Sequence, residues 1–492
     1  MAAVYSAGLA LAIAAPASAE TLAEAIALAY DSNPTLQAQR ATQRALDENW
    51  VQARAGYRPQ AQVSGSVAYA DIRTPGLGDY IDTNGDGIRD TLVGGRRDDN
   101  SASATLQLNQ PLYTGGRVAA AVNAAEADIL AGREQLRRTE AVVLQSVIQA
   151  YADTRRDQEG LRIREENVRV LQRQLDESQA RFDVGEITRT DVAQSEARLA
   201  AAEAQLSQAQ AQLASSRAVY AAVVGQNPGD LAPEPPLSDL LPADVTQAYE
   251  AAENNNPQIR QAQYAEQGSR ARLAAAKAEH MPSLGLTGSL GYTGQADPWS
   301  GEDSSRTVRA GATLTVPLFT GGLTSSRVRA ASERHNAERI NVEIARRAVM
   351  QSLTQAWNQH LASKANIAST DQQVRAARIA AEGTKQEQEV GLRTTLDVLN
   401  AEQELRNAEL SQVSARRDEF VASSLVLSQM GRLEAPMLDV GVTRYDPATN
   451  FNKNRITWGW VPWEEPIAVV DGVLTPKTVE KPTTPQPPPA PK

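Results

Sequence analysis

The sequence contains two copies of one unit, and this repeat limits the folds open to the chain more than any other feature. Asn33-Pro34 recurs as Asn256-Pro257, 223 residues further on. The motif Pro-Leu-Tyr-Thr-Gly-Gly at residues 111–116 returns as Pro-Leu-Phe-Thr-Gly-Gly at residues 317–322, 206 residues further on. Because the motifs keep their order, one structural unit is predicted to occur twice.

The offset of 206 residues holds through the rest of each copy. It relates Tyr151 to Trp357, Val184-Gly185 to Val390-Gly391, Asp191-Val192 to Asp397-Val398, and Gly225 to Gly431. The two offsets, 223 and 206, differ by 17 residues. The first copy is therefore expected to carry an insertion of that length between Pro59 and Pro111.

Four segments are predicted. Residues 1–19 are a signal peptide, since an uncharged apolar run leads to the small-residue cleavage site Ala17-Ser18-Ala19. Residues 20–232 form the first structural repeat, with a helix, two strands and long helices. Residues 233–432 form the second structural repeat, and residues 433–492 form a C-terminal tail that is Pro-rich at its end. No Cys follows the cleavage site, so a lipid anchor is not expected.

The composition argues against an enzyme. The chain has no Cys and only three His, and it contains no P-loop and no G-x-S-x-G motif. The net charge of −10, without basic clusters, argues against a nucleic-acid partner. No interior run of apolar residues is long enough for a transmembrane helix, so insertion into a membrane would have to use β-strands.

Each copy contains two predicted strands whose side chains alternate. In the first strand Val63, Val67 and Tyr69 share one face, whereas Gln62, Ser64 and Ser66 share the other. The same alternation recurs around residues 104–109, 283–292 and 309–318. A small-polar inner face and an apolar outer face are typical of a membrane barrel. A half-buried soluble sheet gives the same alternation, and the predicted export favours the barrel.

Long helices are predicted between the strands and the ends of each copy. The stretch from Gly116 to Gly185 would form a helix of roughly 100 Å at 1.5 Å per residue. Apolar residues recur there every seventh position, namely Leu161, Val168, Leu175 and Phe182, followed by Val192, Leu199, Leu206, Leu213 and Tyr220. This period predicts supercoiling against neighbouring helices. It does not distinguish a solid coiled coil from the wall of a hollow one.

Four strands cannot close a barrel in lipid, where an open edge would leave backbone groups without hydrogen bonds. Several chains must therefore contribute strands to one barrel. Two copies would give eight strands, barely wide enough for side chains, whereas three copies would give twelve. If the barrel serves as a conduit, the wider barrel of three copies is favoured.

The duplicated layout, the paired motifs at residues 111–116 and 317–322, and two helix-turn segments together resemble the TolC family of outer-membrane channels. The turn segments are residues 181–192 and 388–399, and the resemblance covers about residues 20–432. It implies an α+β membrane protein, a trimeric channel-tunnel with a 12-stranded β-barrel (four strands per chain) and a long α-helical coiled-coil barrel, built from two internal repeats. The protein would lie in the bacterial outer membrane and extend into the periplasm.

The resemblance also implies roles for residues of the two turns. Arg393 and Gln388 stand at gate positions, with Thr190 and Asp191 as partners across the helix pairs. Asp397 and Asn400 stand at the positions of a ring at the constriction. The contact segments for a periplasmic adaptor are Val184, Gly185 and Glu186 in the first turn and Val390, Gly391 and Leu392 in the second. A plainer reading has Gly185 and Gly391 ending helices, and Asp191 and Asp397 favouring helix starts.

Two further signals lie outside the repeat. In the inserted loop, oxygen ligands spaced as in a calcium site are predicted from Asp82, Asn84, Asp86, Ile88 and Asp90, although the usual Glu is replaced by Val93. The alternative is a solvated loop, and no cofactor is otherwise expected. In the tail, Trp458–Trp463 would either pack on the outer wall of the helices or bind a partner.

The sequence thus predicts an outer-membrane export duct that conducts proteins or small molecules from an inner-membrane transporter, and no enzyme activity. The expected partners are two further copies in a homotrimer, outer-membrane lipid, a periplasmic adaptor (membrane fusion protein), and an inner-membrane ABC exporter or other pump. Type I protein secretion is preferred. The alternatives are the outer-membrane component of a proton-driven drug efflux pump, or a non-conducting coiled-coil tether of the envelope.

Overall fold

The computed structural model describes residues 19–82, 85–89, 91–296, 304–435, 444–454, 456 and 459–473. The chain forms two compact units, and each unit takes segments from both predicted repeats. Unit 1 comprises Met1–Gln43, Ala131–Gln263 and Asn341–Pro447, and unit 2 comprises Arg44–Leu130, Tyr264–Ile340 and Ala448–Lys492. The predicted signal peptide, apart from Ala19, lies outside the described residues.

The same order of elements occurs twice along the chain. The first series is α1 (Leu22–Ser32), α2 (Pro34–Arg54), β1 (Gln60–Ile81), β2 (Thr91–Tyr113), α3 (Arg117–Asp183) and α4 (Arg189–Val224). The second series is α5 (Val245–Asn255), α6 (Pro257–Ala278), β3 (Ser283–Gln295), β4 (Ser305–Thr315), α7 (Leu323–Glu389) and α8 (Thr395–Gln429). Two short helices follow, α9 (Ala448–Asn454) and α10 (Glu464–Gly472). Both α3 and α7 contain 67 residues, and α3 fills the stretch between Gly116 and Gly185 for which one long helix was predicted.

The Asn-Pro motifs form equivalent contacts in unit 1. The Asn33 side chain ends α1, donates to the carbonyl of Val223 at 3.0 Å and accepts from the amide of Thr35. Asn256 ends α5, donates to the carbonyl of Gln429 at 2.7 Å and accepts from the amide of Gln258. Pro is tolerated in the first turn of the following helix because it has no N–H to satisfy. Each motif thus attaches a short helix to the end of a long one.

The main apolar cluster of unit 1 joins α1 to α3 and α4. Tyr151 and Tyr220 are fully buried there, beside Ile26 and Leu36. The Tyr151 hydroxyl donates to two backbone carbonyls, so its polar end is satisfied. A second cluster, near the turns, packs Leu175 of α3 against Leu199 of α4 and Leu399 of α8. Leu175 and Leu199 belong to the predicted heptad series and face neighbouring helices as predicted, whereas Phe182 of the same series is 42% exposed.

All four strands lie in unit 2 as one antiparallel sheet in the order β1-β2-β3-β4. The register of β1 with β2 sets Gln60 opposite Asn109, and that of β3 with β4 sets Ser283 opposite Thr315. These pairs are related by the two sequence offsets of 223 and 206 residues. The hairpins of the two copies therefore share one register.

The insertion lengthens the first hairpin instead of forming only a loop. Strands β1 and β2 contain 22 and 23 residues, whereas β3 and β4 contain 13 and 11. The ladder between β2 and β3 begins at Ser101, so the part of β2 that precedes Ser101 is paired along its length with β1. β4 ends at Thr315, although the alternation predicted strand to residue 318. β2 continues to Tyr113 because β3 pairs with it as far as that residue, opposite Leu284.

We call residues 459–473, which include α10, the tail segment. In unit 2 its Ile467 packs against Tyr57 and Val118. The Trp463 indole donates to the Gln110 side chain at 3.2 Å. The tail segment thus packs on its own chain, but Trp460 and Trp463 remain 39% and 49% exposed, and Trp458 lies outside the described residues, so both predicted roles of the Trp cluster stay open.

Among the described residues, no helix is both long enough and apolar enough to cross a membrane.

Candidate gate and docking turns

Two helix turns in unit 1 carry the residues predicted for the gate. α3 ends at Asp183, and Gly185 then takes a φ of +81°, which a side chain would disfavour. The amide of Glu186 donates to the carbonyl of Arg181 at 2.9 Å. In the second turn Gly391 has a φ of +80°, and the amide of Leu392 donates to the carbonyl of Glu387 at 2.8 Å. Both glycines therefore end helices in the same left-handed motif.

The two Asp residues each cap the helix that follows the turn. The Asp191 carboxylate accepts from the Thr188 amide at 3.0 Å and from the Thr188 hydroxyl at 2.8 Å. The Asp397 carboxylate accepts from the same two groups of Thr394, at 3.1 and 2.8 Å. The Thr394 bonds hold the pKa of Asp397 below its usual value. Both carboxylates thus satisfy amide groups at the start of α4 and α8.

Each turn also contains an ion pair, and the two pairs have opposite polarity. In the first turn Nε of Arg181, on the last turn of α3, lies 3.1 Å from Glu186 in the loop. In the second turn the acidic member is on the helix, where Glu387 lies 2.9 Å from Nε of Arg393 in the loop. Residues 181 and 387 occupy equivalent positions in the two copies, so the first copy has a positive side chain where the second has a negative one. Sequence reasoning missed Glu387, although a charge six residues before Arg393 was visible.

Arg393 is not bonded to Thr190 or Asp191 within one chain; its hydrogen bond among the described residues is to Glu387. The hydrogen bonds and attraction of Glu387 raise the pKa of Arg393. Thr190 is exposed, so its hydroxyl is open to a neighbouring molecule. The predicted bridge from Arg393 to these two residues therefore stays a prediction for contacts between copies.

The remaining predicted gate and ring residues lie close to the second turn. Gln388 is 5% exposed and belongs to the packed end of α7. The Asn400 side chain on α8 accepts from Arg198 of α4 at 2.8 Å. This bond joins the helix after the first turn to the helix after the second. Asn400 therefore contributes to holding the helix pairs together at this end of unit 1.

The tips of the turns expose apolar side chains. Val184 is 73% exposed, Val390 71% and Leu392 75%, and Gly185, Glu186 and Gly391 are exposed as well. Exposed apolar residues beside polar ones are typical of surfaces that contact another protein. The six residues predicted to contact an adaptor are thus accessible in both turns.

The predicted calcium loop is described only in part, because Asn84 and Asp90 lie outside the described residues. The Asp82 carboxylate accepts from the amides of Gly85 and Gly87 at 2.7 and 2.6 Å. The Asp86 carboxylate accepts from the amide of Ile88 at 2.8 Å. Across the described ranges, no group of three or more His, Cys, Asp or Glu is placed to hold a metal ion.

Comparisons with known proteins agree on one class. The family model described as "Outer membrane efflux protein" matches residues 25–226 and 248–425. The outer membrane efflux protein BepC of Brucella suis is 35% identical over 444 residues, covering 90% of this chain and 92% of its own. The alkaline protease secretion protein AprF of Pseudomonas aeruginosa is 26% identical over 350 residues, covering 70% and 72%. The solved Campylobacter jejuni CmeC outer membrane channel has a TM-score of 0.71 at 16% identity, covering 88% of each chain.

Proposed function

Because this chain belongs to the outer membrane efflux protein family, we propose that it is an export duct that conducts molecules from an inner-membrane transporter and a periplasmic adaptor to the exterior. The protein is located in the outer membrane and extends into the periplasm. Its family is one of channels. The duct itself would do no chemistry, and the inner-membrane partner would supply the energy.

We propose a homotrimer built from two structural repeats per chain, residues 20–232 and 233–432. Three chains would contribute four strands each to a 12-stranded barrel, and their long helices would form a coiled-coil barrel. The four-stranded open sheet supports this proposal, because its two edge strands need partners in lipid. The shared register of the two hairpins supports the repeat.

The observation that carries the functional proposal is the pair of equivalent helix turns. Both turns expose apolar tips, and both place a charged side chain in the loop. We propose that Val184, Gly185, Glu186, Val390, Gly391 and Leu392 contact the adaptor. Arg393 would bridge to Thr190 and Asp191 of a neighbouring helix pair and close the duct, with Gln388 beside it. Asp397 and Asn400 would line the constriction, where Asp397 would favour cations.

We favour type I protein secretion as the pathway, in agreement with the relative named as an alkaline protease secretion protein. A second candidate is small-molecule efflux, which the higher identity to an outer membrane efflux protein favours. Type I secretion and small-molecule efflux would differ in the inner-membrane pump whose adaptor docks on these turns. Deletion of the gene would distinguish them: loss of export of a protein substrate indicates type I secretion, and loss of drug resistance indicates small-molecule efflux.

The test is conductance of the purified protein in planar bilayers, together with its native mass. A trimer with a small conductance is expected, because the duct is closed at rest. Arg393→Ser should raise the conductance by removing the bridge. The matched control is Arg181→Ser, which removes the equivalent ion pair of the first turn and should leave conductance unchanged. A trimer without conductance in the wild type and in Arg393→Ser would favour the envelope tether instead.

A further inference from the structure

The tail segment binds unit 2 through one side of α10. Glu464, Ile467 and Asp471 are buried, and their spacing of three and four residues places them on the same side of the helix. The Glu464 carboxylate accepts from Nε of Arg58 at 2.8 Å, and the Asp471 carboxylate accepts from the amide of Thr114 at 2.6 Å. These bonds fix one side of α10 to the protein, and they determine which side faces outward.

The outward side of the tail segment is apolar. Val469, Val470 and Val473 are 68%, 58% and 74% exposed, and Trp463, which precedes the helix, is about half exposed. The tail segment is described throughout and contains three carboxylates, of which two are buried, so Glu465 is its one exposed charge. An apolar surface of this kind indicates contact with something other than water.

The tail segment lies on the apolar face of the sheet. Leu106 pairs with Val63, so it shares the face of the apolar side chains of β1. Because side chains alternate along a strand, Leu108 and Gln110 follow on the same face of β2. The Trp463 indole donates to Oε1 of Gln110 at 3.2 Å. The indole therefore lies on the face that is apolar along the rest of the sheet.

A second contact lies at the end of the same strand. Ile467 is buried in a cluster with Tyr57 and Val118, and Leu112 of β2 packs against this cluster. The tail segment thus follows the last residues of β2 on one face, from Gln110 to Leu112. Its outward side continues the apolar face of the strands.

The second copy has apolar side chains where the first copy has the tail segment. Val316 is equivalent to Gln110 and is 47% exposed, and Leu318 is equivalent to Leu112 and is 92% exposed. The first copy therefore has a polar amide, bonded to the Trp463 indole, at the position where the second copy has an exposed valine. The tail segment gives the first copy the apolar surface that the second copy has in its own chain.

The place of the tail segment along the sheet identifies the surface that it meets. The register sets the strand ends that join the helices at one end of the sheet, namely Gln60, Tyr113, Ser283 and Thr315. In the proposed duct the strands span the membrane and the helices extend into the periplasm, so this end lies at the periplasmic boundary. Trp side chains are enriched at such boundaries because the ring is apolar and its N–H is polar.

A neighbouring copy of the chain is the other surface that the outward side would meet. Trp463 contacts β2, which lies between β1 and β3 and is not an edge of the sheet. Copies in the proposed duct meet at the edge strands. The face of an inner strand is therefore left to lipid.

We propose that the tail segment binds the phospholipid surface on the periplasmic side of the outer membrane. Trp460 and Trp463 lie at the level of the lipid headgroups, and Val469, Val470 and Val473 lie against the boundary between headgroups and acyl chains. This inference rests on the proposed duct and adds a lipid contact outside its strands. Because the surface is apolar and carries one exposed acidic residue, the contact does not require anionic lipid.

The first test measures the surroundings of single spin-labelled positions in the full-length protein, for which the chain is suited because it contains no Cys. Val470→Cys is labelled with a nitroxide and reconstituted in phosphatidylcholine vesicles, with and without phosphatidylglycerol. Electron paramagnetic resonance then compares collisions with oxygen, which concentrates in lipid, and with a water-soluble nickel chelate. Val67→Cys, on the apolar face of β1, is the lipid control, and the exposed Lys453→Cys on α9 is the aqueous control.

We expect the label at residue 470 to collide mainly with oxygen, as the label at residue 67 does, in both kinds of vesicle. Collisions mainly with the nickel chelate would overturn the lipid contact and leave the duct intact. A label shielded from both reagents would show that protein covers this side of α10, which would assign it to a neighbouring copy and overturn the lipid contact as well. A label at residue 67 that also collides mainly with the nickel chelate would overturn both the duct and this inference.

Quenching of Trp fluorescence by brominated lipids gives an independent measurement without a label. Lipids brominated near the headgroup end of their acyl chains should quench the wild type more than the variant Trp460→Phe with Trp463→Phe, which lacks the two boundary rings. Trp357→Phe is the control, because Trp357 packs against a buried cluster of unit 1, and it should keep the quenching of the wild type. Equal quenching of the wild type and the double variant would overturn the contact of these rings with lipid.

Discussion

At the scale of single residues, the two turns show how one side chain can have a structural and a functional task. Asp191 caps α4 through Thr188, so replacing it would weaken the helix start as well as any bridge to Arg393. The partner of Arg393 within its own turn is Glu387, which caps nothing among the described residues. Glu387 therefore offers a cleaner way to change the state of Arg393.

We expect Glu387→Gln to favour the closed duct. The change removes the in-turn partner of Arg393, so the guanidinium becomes free to bridge to a neighbouring copy. Because both side chains are exposed, the effect should be modest, seen as fewer and shorter openings in single-channel recordings. Glu186→Gln is the matched control in the first turn and should not change the openings. More frequent openings in Glu387→Gln would contradict the idea that Glu387 competes for Arg393.

His360 on α7 is buried against α8, and its environment makes the stability of unit 1 depend on pH. Its Nδ1 lies 3.0 Å from the Ser423 hydroxyl and 3.6 Å from Glu419. Burial lowers the pKa of His360; Glu419 opposes this shift, and Lys364 adds to it. The folded state therefore binds the proton less readily than the unfolded state, whose His has a pKa of 6.5.

The stabilisation from neutral His360 should be complete above pH 6.5 and should be lost as the pH falls below it. We expect the melting temperature to fall slightly between pH 7.5 and pH 5.5 because of this residue. His360→Gln should reduce that fall, as measured by circular dichroism. The exposed His280→Gln is the control, and an equal reduction there would exclude His360 as the cause.

At the scale of elements, the tail segment distinguishes the two copies. Asp471 on α10 is fully buried and accepts from the Thr114 amide at 2.6 Å, the Thr114 hydroxyl at 2.8 Å and the Gly116 amide at 3.1 Å. It also accepts from the Tyr57 hydroxyl at 3.1 Å. One carboxylate thus joins the end of β2 to the start of α3, where negative charge is favoured.

Asp471→Ala should destabilise this junction by about 1–3 kcal/mol for the buried donors that lose their acceptor. We expect a lower melting temperature and faster proteolytic release of the tail. Glu465→Ala is the control on the same helix, because Glu465 is 61% exposed in its ion pair with Arg54 and should have little effect. Equal sensitivity of the two variants would mean that the Asp471 bonds do not hold the tail in place.

The part of the first hairpin that extends past the length of the second hairpin should be dispensable. Ala70 pairs with Asp99 in the first hairpin as Thr293 pairs with Ser305 in the second. Replacing residues 71–98 by residues 294–304 would therefore convert the first tip to the length of the second without changing the register below it. We expect trimer assembly, conductance and export to be retained. Assembly with loss of export would assign the removed hairpin a function of its own.

At the scale of the whole molecule, most of the secondary structure could be predicted because the same sequence pattern occurs in both copies of the repeat. The long helices between Gly116 and Gly185, the four alternating strands and the ends of the helices at Gly185 and Gly391 follow from local patterns. The heptad series predicted part of the contacts between helices, including those of Leu175 and Leu199, but Phe182 of that series is exposed.

The features that could not be predicted depend on contacts that have no counterpart in the other copy of the repeat. Asp471 and Thr114 are 357 residues apart, and no period or motif joins them. The ion pair of Glu387 with Arg393 requires the turn geometry, which sequence spacing alone does not give. The extension of β1 and β2 into the insertion was missed because Gly, Asp and Asn suggested a loop, whereas pairing along the hairpin decides the strand length.

The single tail segment has a consequence for the symmetry of the proposed homotrimer. Residues that bind it in the first copy, such as Tyr57 and Arg58, are replaced in the second by His280 and Met281, so only alternate units can hold a tail. In the proposed homotrimer, repeats that hold a tail would therefore alternate with repeats that hold none, so six similar positions around the ring would be of two kinds.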